Sequence, residues 1–261
     1  LDTGGVIREV EGVETVDPSF GMPARWISNS RRVEAEGFGY VVVEPPTVVA
    51  THLMEVLKGN AGDLLGRQDV QEMIDALKNT HPALVEDVVP GKVSLGVLHR
   101  VLQRLLKERL PIRDLVSILE ALGDAAEQTK DPELLTERVR MSLSHVIARQ
   151  HLDATGGIHA VAVGPRLEAA LTGLFSPRGG QVSSGIMNPD VLANLLRDLS
   201  NISNAYSSDG RSAPLVTPPG LRVGIRRLIE PVLPQLPVIS LAELPPQIGI
   251  ETVATWELPE G

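Results

Sequence analysis

Residues 94–122, SLGVLHRVLQRLLKERLPIRDLVSILEAL, contain two helical patterns in one uninterrupted stretch. In the first half, apolar residues recur at three- and four-residue steps, which predicts an amphipathic helix with a largely basic polar face. These residues are Leu95, Leu98, Leu102, Leu105 and Leu106. The second stripe consists of Leu115, Ile118, Leu119 and Leu122. Because Pro111 cannot continue the first helix but suits the first turn of the next, we predict two helices joined at a hinge at Leu110 and Pro111.

The chain before this stretch predicts a small α/β region followed by helices. β-Branched residues are dense in 6–16 and 38–43, which predicts two strands with a loop and a short strand between them. The apolar spacing then changes to that of helices over 47–57, 68–77 and 82–89.

The chain after residue 122 predicts a helical region and then a second α/β region. Asp131 and Pro132 are typical of a helix start, and the apolar stripe that follows predicts one helix to about Gln150. We expect a Gly/Ser-rich flexible connector and subdomain boundary at 176–188. The remaining predicted elements are strands at 158–163, 215–216, 238–239 and 248–254 and helices at 165–174, 189–199 and 221–232.

Several arginines in these helices are expected to point outward. They are Arg138, Arg140 and Arg149 in the first helix and Arg222, Arg226 and Arg227 in the last. This expectation follows because, in both helices, only the apolar stripe is predicted to form the buried face.

Composition narrows the function classes. The 261 residues include 43% hydrophobic but only 3% aromatic residues, so the cores must be aliphatic and base-stacking surfaces are not expected. The formal charge of -9 argues against sequence-independent nucleic-acid binding. Cysteine is absent, which excludes disulfides and thiolate sites. No apolar run approaches the about 20 residues of a membrane helix, and the LDTGG start suggests a fragment whose membrane anchor would lie upstream.

Motifs for catalysis and for cofactors are missing from the sequence. It contains no GxxxxGK[ST], HExxH, GxSxG or EF-hand pattern, and its six histidines include no i, i+3 or i, i+4 pair for a metal. Paired carboxylates such as Glu86 and Asp87 fit solvated helix faces. We therefore predict no catalytic residue, metal or cofactor. The alternative is a hydrolase or transferase with converging carboxylates in a cleft between subdomains, which perturbed pKa values would reveal.

Five segments together resemble the FHIPEP family, which comprises the flagellar and virulence type III secretion export-gate proteins. The resemblance to the flagellar members is stronger than that to the virulence members. The segments are VDPSFGMPARWI at 16–27, TVVATHL at 47–53, LLGRQDVQEMIDAL at 64–77, PALVEDVVP at 82–90 and LVTPPGLRVGIRRLIEPVLPQLPVISLAELPP at 215–246, and the 94–122 stretch joins them. Several motifs in the right order make the resemblance specific, and it covers the chain.

The resemblance implies a docking platform that is not an enzyme. The expected protein is the cytoplasmic domain of a bacterial inner-membrane protein, assembled as a nine-membered ring beneath the secretion channel. Its expected partners are export chaperone–substrate complexes, the export ATPase complex, the switch protein and other copies of itself. A cytosolic scaffold without a secretion role remains a further alternative.

The resemblance also implies four subdomains within an α/β plus all-α architecture. The first, a mixed α/β subdomain that lacks its N-terminal strands, comprises 1–46 and 90–109 and carries a helical insertion, the second subdomain, at 47–89. The third is helical at 110–185, and the fourth is a small α/β unit at 186–261. The 94–122 stretch then crosses a boundary, which makes Pro111 a candidate hinge.

The family's chaperone site is a shallow apolar dimple where the first two subdomains meet. The matching segments here are GDLLGR and KVSLGVLH, which nominate Asp63, Leu64, Leu65, Val93, Leu95, Gly96 and His99. The leucines are equally compatible with ordinary core positions, and His99 with a solvated helix position. Gly62 and Gly96 stand where relatives can carry larger side chains, so the dimple can differ in shape. Nearby, Arg67 either belongs to a turn into a helix or anchors one subdomain on another.

Overall fold

The computed structural model describes residues 1–175, 188–208 and 211–258. The chain divides into two compact units, Leu1–Leu64 and Leu65–Gly261. The connector expected at 176–188 lies outside the described residues except for Asn188.

The first unit combines a strand pair with two helices. Its elements are β1 (Val13–Val16), β2 (Pro23–Trp26), α1 (Arg32–Gly37) and α2 (Pro45–Leu64). β1 and β2 are antiparallel, with Val13 opposite Trp26. The turn between them is held by the Asp17 carboxylate, which accepts hydrogen bonds from Ser19 N at 3.0 Å and Phe20 N at 2.7 Å. The buried core of this unit is small and consists of Val10, Ala35 and Tyr40.

Two strand predictions in the first unit need correction. The strand predicted at 6–16 forms only at Val13–Val16, and the strand predicted at 38–43 is wrong, since that segment has no strand pairing. Gly39 has φ +94°, which takes the chain out of the extended region. Tyr40 N then donates to Ala35 O at 3.0 Å, so its backbone completes the end of α1 instead of a sheet.

The second unit contains nine helices among its described residues. They are α3 (Arg67–Lys78), α4 (Pro82–Val88), α5 (Leu95–Lys107), α6 (Leu115–Ala125), α7 (Pro132–Ser142), α8 (Ser144–His151), α9 (Pro165–Phe175), α10 (Pro189–Ala205) and α11 (Arg222–Ile229). The helix predicted from 132 to about 150 is in fact two helices. At Leu143 the backbone leaves helical geometry, and its N–H is shared between Val139 O and Arg140 O at 3.1 Å each.

The predicted position of Pro111 in the first turn of the second helix is also wrong. α6 begins at Leu115, where Asp114 acts as the N-cap and accepts a hydrogen bond from Ser117 N at 3.1 Å. Pro111 is exposed in the connection between α5 and α6. Aspartate is among the preferred N-cap residues, because its carboxylate accepts hydrogen bonds from the N–H groups of the first turn. This cap places the helix start four residues later than the proline suggests.

The strands of the second unit are β3 (Ile158–Val163), β4 (Ser207–Ser208), β5 (Arg211–Ser212), β6 (Leu215–Thr217), β7 (Val238–Ser240) and β8 (Ile250–Trp256). Four of them form a sheet in the order β7-β6-β3-β8, and every neighbouring pair is parallel. β4 and β5 form a short antiparallel hairpin. Parallel strands are usually covered on both faces, which explains why the short strands β6 and β7 are wholly buried.

Helices pack on both faces of the parallel sheet. Ile158, Ala160 and Ile239 belong to the aliphatic core that includes the buried residues of α5 to α8. Val161, Leu215 and Trp256 belong to a second core with α9, α10 and α11. The predicted α/β fold class with helical regions is confirmed. The sheet joins a strand from the predicted third subdomain to three from the fourth, and the division into four subdomains stays a prediction.

Candidate functional site

The seven nominated partner-binding residues fall in both compact units. Asp63 and Leu64 form the end of α2 in the first unit. The other five lie in the second unit, close to the starts of α3 and α5: Leu65, Val93, Leu95, Gly96 and His99.

A side-chain hydrogen bond joins the start of α3 to α5. The His99 ring donates from Nε2 to Leu65 O over 2.8 Å, so the neutral ring carries its proton on Nε2. Leu65 immediately precedes Gly66, the N-cap of α3, whose N–H donates to Asp69 Oδ2 at 2.6 Å. This contact fixes the Leu65 backbone against α5. We call the group of Leu65, Leu95, Gly96 and His99 the α3–α5 surface.

The four residues of the α3–α5 surface are less buried than Val93. Leu65 and Leu95 are half-buried and pack against the aliphatic core, and Gly96 and His99 are also half-buried. Val93 is 3% exposed and belongs to the core itself. The surface thus presents parts of two leucine side chains beside a glycine, whereas Val93 is a core residue. Whether these residues bind a partner remains a prediction.

Gly96 leaves room on this surface. A Cβ built at Gly96 would meet only Arg67 Nη2 and Ser94 Oγ, both at 3.9 Å, which is ordinary van der Waals distance. Arg67 is exposed at the first position of α3 and makes no ion pair with the described residues of the second unit. The turn interpretation of 66–69 therefore agrees with the structure, because Asp69 completes the helix start.

Sequence reasoning missed a buried cluster of charges in the second unit. Arg140, Arg222 and Arg226 were expected to point outward, and this is wrong: they are 2%, 2% and 8% exposed. The reason is that carboxylates and carbonyls outside their own helices accept hydrogen bonds from them. Arg226, for example, donates to Leu236 O at 3.1 Å and Pro234 O at 3.0 Å.

Five of the charged residues form what we call the ion cluster: Glu108, Glu137, Arg140, Arg222 and Glu243. Arg140 donates to Glu243 from Nε at 2.6 Å and from Nη2 at 2.9 Å, and to Glu108 Oε2 from Nη1 at 2.8 Å. Arg222 donates to Glu108 Oε2 at 2.7 Å and to Glu137 Oε2 at 2.6 Å. The cluster therefore ties the end of α5 to α7, α11 and the turn that follows β7.

The pKa shifts of Glu108 and Arg222 fit fixed charges. Burial acts to raise the pKa of Glu108, but the charges of Arg140 and Arg222 outweigh it and hold that pKa below its ordinary value. Burial acts to lower the pKa of Arg222, yet hydrogen bonds and charges from Glu137 and Glu108 raise it. A general acid near neutral pH needs a raised carboxyl pKa. Glu108 has the opposite shift, so it fits a structural ion pair and not the hydrolase alternative.

A sequence signal for the buried arginines did exist. Arg140 follows Thr136 by four residues and precedes Leu143 by three, which places it on the buried face of α7. Arg222 and Arg226 likewise have helical spacing to Ile225 and Ile229. An arginine within an apolar stripe indicates a buried ion pair, because an unpaired charge is too costly to bury.

At the carboxyl edge of the parallel sheet, a glutamate of the protein itself occupies the position between β3 and β8. Sheets of this kind often bind ligands where the chain changes direction across the sheet, here between β3 and β8. At that point the Glu257 carboxylate accepts hydrogen bonds from Arg166 N at 3.2 Å and Leu167 N at 2.8 Å, at the start of α9. Gly164 permits this approach, since a Cβ there would be 2.3 Å from Glu257 Oε2.

The described residues offer neither a metal site nor a membrane-spanning helix. Across 1–175, 188–208 and 211–258, no three or more His, Asp or Glu side chains are grouped so that they could hold a metal ion. Within the same ranges, no helix is long and apolar enough to cross a membrane.

Comparison with known proteins decides the family. The FHIPEP family model matches residues 1–249. The chain belongs to the FHIPEP family. The flagellar biosynthesis protein FlhA of Bacillus subtilis (strain 168) is 37% identical over 250 residues, which cover 95% of this chain and 37% of that protein. This FHIPEP chain therefore spans little more than a third of the length of that relative.

Solved structures are similar in fold. CdsV of Chlamydia pneumoniae, in its complex with CdsO, has a TM-score of 0.77 and 28% identity over 89% of this FHIPEP chain and 68% of the chain in that structure. The cryo-EM structure of nonameric EPEC SctV-C has a TM-score of 0.75 over 97% of this chain and 76% of that one. At 22% identity, that second likeness concerns the fold alone.

Proposed function

We propose that this chain is a docking platform of a type III protein export gate that binds export chaperone–substrate complexes. Membership of the FHIPEP family supports the proposal, as does the similarity to flagellar biosynthesis proteins over nearly the whole chain. The observation that carries it is the α3–α5 surface, where Leu65 and Leu95 remain partly exposed beside Gly96.

The proposed mode of recognition is an apolar segment of the chaperone seated in a shallow groove. Leu65, Leu95 and Gly96 would form the apolar floor, and His99 would provide a polar contact at its rim. The family resemblance also nominates Asp63 as a contact residue. Because His99 is hydrogen-bonded to Leu65 O, the floor is ordered before a partner arrives. Such preorganisation lowers the entropic cost of binding.

The other proposed partners belong to the export apparatus. We propose contacts with the export ATPase complex and the switch protein, and self-association into a nine-membered ring, in the cytoplasmic domain of a bacterial inner-membrane protein. The similarity to CdsV, a protein solved with its partner CdsO, supports a protein-binding role. No catalytic role is proposed for any residue.

The proposed mechanical role of Pro111 is that of a hinge between the first and third of four subdomains. Its position in the exposed connection between α5 and α6 supports this, because hinges are formed by a few loop or element-terminal residues.

Calorimetric titration with a flagellar chaperone bound to its export substrate tests the docking proposal. Gly96→Gln places a larger side chain on the α3–α5 surface, where the structure has space for it, and glutamine also favours the helix more than glycine. We expect at least about tenfold weaker binding, the equivalent of roughly 1.4 kcal/mol, with the urea unfolding midpoint unchanged or raised.

Two further variants complete the titration. Arg138→Gln, at an exposed position of α7, is the matched control and should bind like the wild type. Asp63→Ala should weaken binding. If the intact chain binds no loaded chaperone, the docking function is wrong. If Gly96→Gln and Asp63→Ala both bind like the wild type, the function stands but its site lies elsewhere.

A further inference from the structure

A groove with a basic rim lies between α5, α7 and α11 and encloses about 330 Å³. Six cationic side chains and four carboxylates line it, so its local charge is positive in a chain whose formal charge is -9. We call it the basic groove. Its lining includes Glu108, Glu137 and Arg222 of the ion cluster, but its rim is made of other residues.

Three of the four carboxylates of the basic groove are recessed, whereas the fourth, Glu230, is 50% exposed. The side chains of Glu108, Glu133 and Glu137 are 14%, 13% and 21% exposed. Those of Arg104 and Arg227 are 47% and 69% exposed. Because exposed charges determine what an approaching molecule meets, the rim presents mainly positive charge.

One carboxylate, that of Glu133, accepts hydrogen bonds from two of the rim arginines, Arg104 and Arg227. Glu133 Oε1 accepts from Arg104 Nη1 at 3.2 Å and from Arg227 Nε at 3.0 Å, and Glu133 Oε2 also pairs with Arg227 Nη2. A guanidinium has five N–H donors, so these bonds leave donors on both arginines for other acceptors. Arg100 is exposed and has no ion pair among the residues that the structure describes.

The chemistry of the rim selects among anionic partners. Arginine binds carboxylates with two parallel hydrogen bonds, and three arginines on two helices match several spaced carboxylates. A long nucleic acid would extend beyond the groove over a chain with a large negative charge, and no aromatic side chain lines the groove for base stacking. A short acidic peptide can pair with the rim arginines without extending beyond the groove and without needing an aromatic side chain for stacking.

We propose that the basic groove docks an acidic segment of a partner protein, with Arg100, Arg104 and Arg227 as the contact residues. The inference does not depend on the proposed chaperone site, because it uses a different set of residues. Since the rim is exposed, the interaction should weaken as salt is added.

Fluorescence anisotropy with labelled hexaglutamate tests the proposal at low ionic strength. We expect the double variant Arg104→Ala with Arg227→Ala to bind at least about tenfold more weakly than the wild type, as expected for lost steering and lost charge-assisted hydrogen bonds. The control, Arg138→Ala with Arg149→Ala, removes the same charge from exposed positions of α7 and α8 and should change the affinity by less than about twofold.

A third variant separates binding from folding. Arg100→Glu removes no ion pair of the described chain, so it should preserve the unfolding midpoint and still weaken hexaglutamate binding. The proposal is overturned if hexaglutamate does not bind, or if the rim variants bind it as well as the control does. Equal or tighter binding of hexathymidylate would assign the groove to phosphate ligands and would also overturn it.

Discussion

The two ends of α5 are built in different ways, although one leucine stripe runs between them. At the N-terminal end, Ser94 caps the helix and the His99 ring makes one hydrogen bond to a backbone carbonyl. At the C-terminal end, Glu108 lies between two buried arginines of other helices. The comparison shows that one helix can be anchored by charge at one end while keeping partly exposed apolar side chains at the other.

This difference bears on where a partner would bind. Charges in the ion cluster are satisfied within the chain, so the cluster itself has little capacity for further contacts. The half-buried Leu65 and Leu95 at the other end still have apolar surface to lose on binding. The fixed end then holds the α3–α5 surface in place, in keeping with binding sites that sit on rigid elements.

Removing an arginine from the ion cluster should have the largest effect on stability. Arg140→Ala leaves Glu108 with one partner fewer and removes both hydrogen bonds from Arg140 to the buried Glu243. Breaking a buried pair in this way costs about 3–5 kcal/mol. Urea unfolding at neutral pH measures this loss.

The matched control for Arg140→Ala is Arg138→Ala, two residues earlier in α7 and exposed. We expect it to change the free energy of unfolding by less than about 0.5 kcal/mol. Equal effects of the two substitutions would contradict the anchoring role of the ion cluster and remove the contrast between the ends of α5.

The pH dependence of stability provides a second test of the difference between the two ends of α5. The folded-state pKa of Glu108 lies below the ordinary value of 4.5, so folding favours its ionised form. The stability that this contributes is present above pH 4.5 and is lost as the pH falls through the lowered pKa. Glu108→Gln should therefore reduce the free energy of unfolding at neutral pH, by about 1.5–3 kcal/mol.

Urea unfolding at a series of pH values measures this second effect. The difference between the wild type and Glu108→Gln should shrink as the pH falls below 4.5, since the wild-type carboxyl then becomes protonated. Glu86→Gln, at a side chain that is 63% exposed, is the control and should show little difference at any pH. A difference between wild type and Glu108→Gln that stays constant with pH would contradict the charge assignment.

The contrast between the ends of α5 also marks how far the sequence predicts the structure. Leu98, Leu102 and Leu105 are buried as their spacing indicates, because helical periodicity is a local property. The partners of Glu108 are not local: Arg140 follows it by 32 residues and Arg222 by 114. Nothing in the sequence between them specifies that these charges meet, although the position of Arg140 in the buried face of α7 indicated a buried arginine.

Strand predictions succeeded and failed for related reasons. The segment 158–163 is a strand with parallel neighbours on both sides, so tertiary contacts reinforce its β-branched composition. The segment 38–43 has a similar composition but no strand partner among the described residues, and the positive φ of Gly39 diverts it. β-Propensity describes suitability for a sheet, and the partner strand determines whether the sheet forms. For the α3–α5 surface, the resemblance to a family nominated residues that periodicity could not distinguish from core.

The smallest expected effect concerns the backbone next to Glu108. Arg109 has φ +59°, the left-handed conformation that usually carries glycine after a helix. Leu110 N donates to Leu105 O and Arg109 N to Leu106 O, both at 2.9 Å, which is the hydrogen-bond pattern of a Schellman motif. A residue with a Cβ costs about 1 kcal/mol in this conformation relative to glycine.

A pair of substitutions isolates that cost. Arg109→Gly and Arg109→Ala both remove the arginine side chain and both keep the carbonyl that accepts from Gln150, so they differ mainly in the Cβ. We expect the glycine variant to be more stable than the alanine variant by about 1 kcal/mol in urea unfolding. Equal stabilities would mean that the chain relaxes out of the left-handed conformation at little cost. The C-terminal end of α5 would then be fixed by the ion cluster alone, without a contribution from its backbone cap.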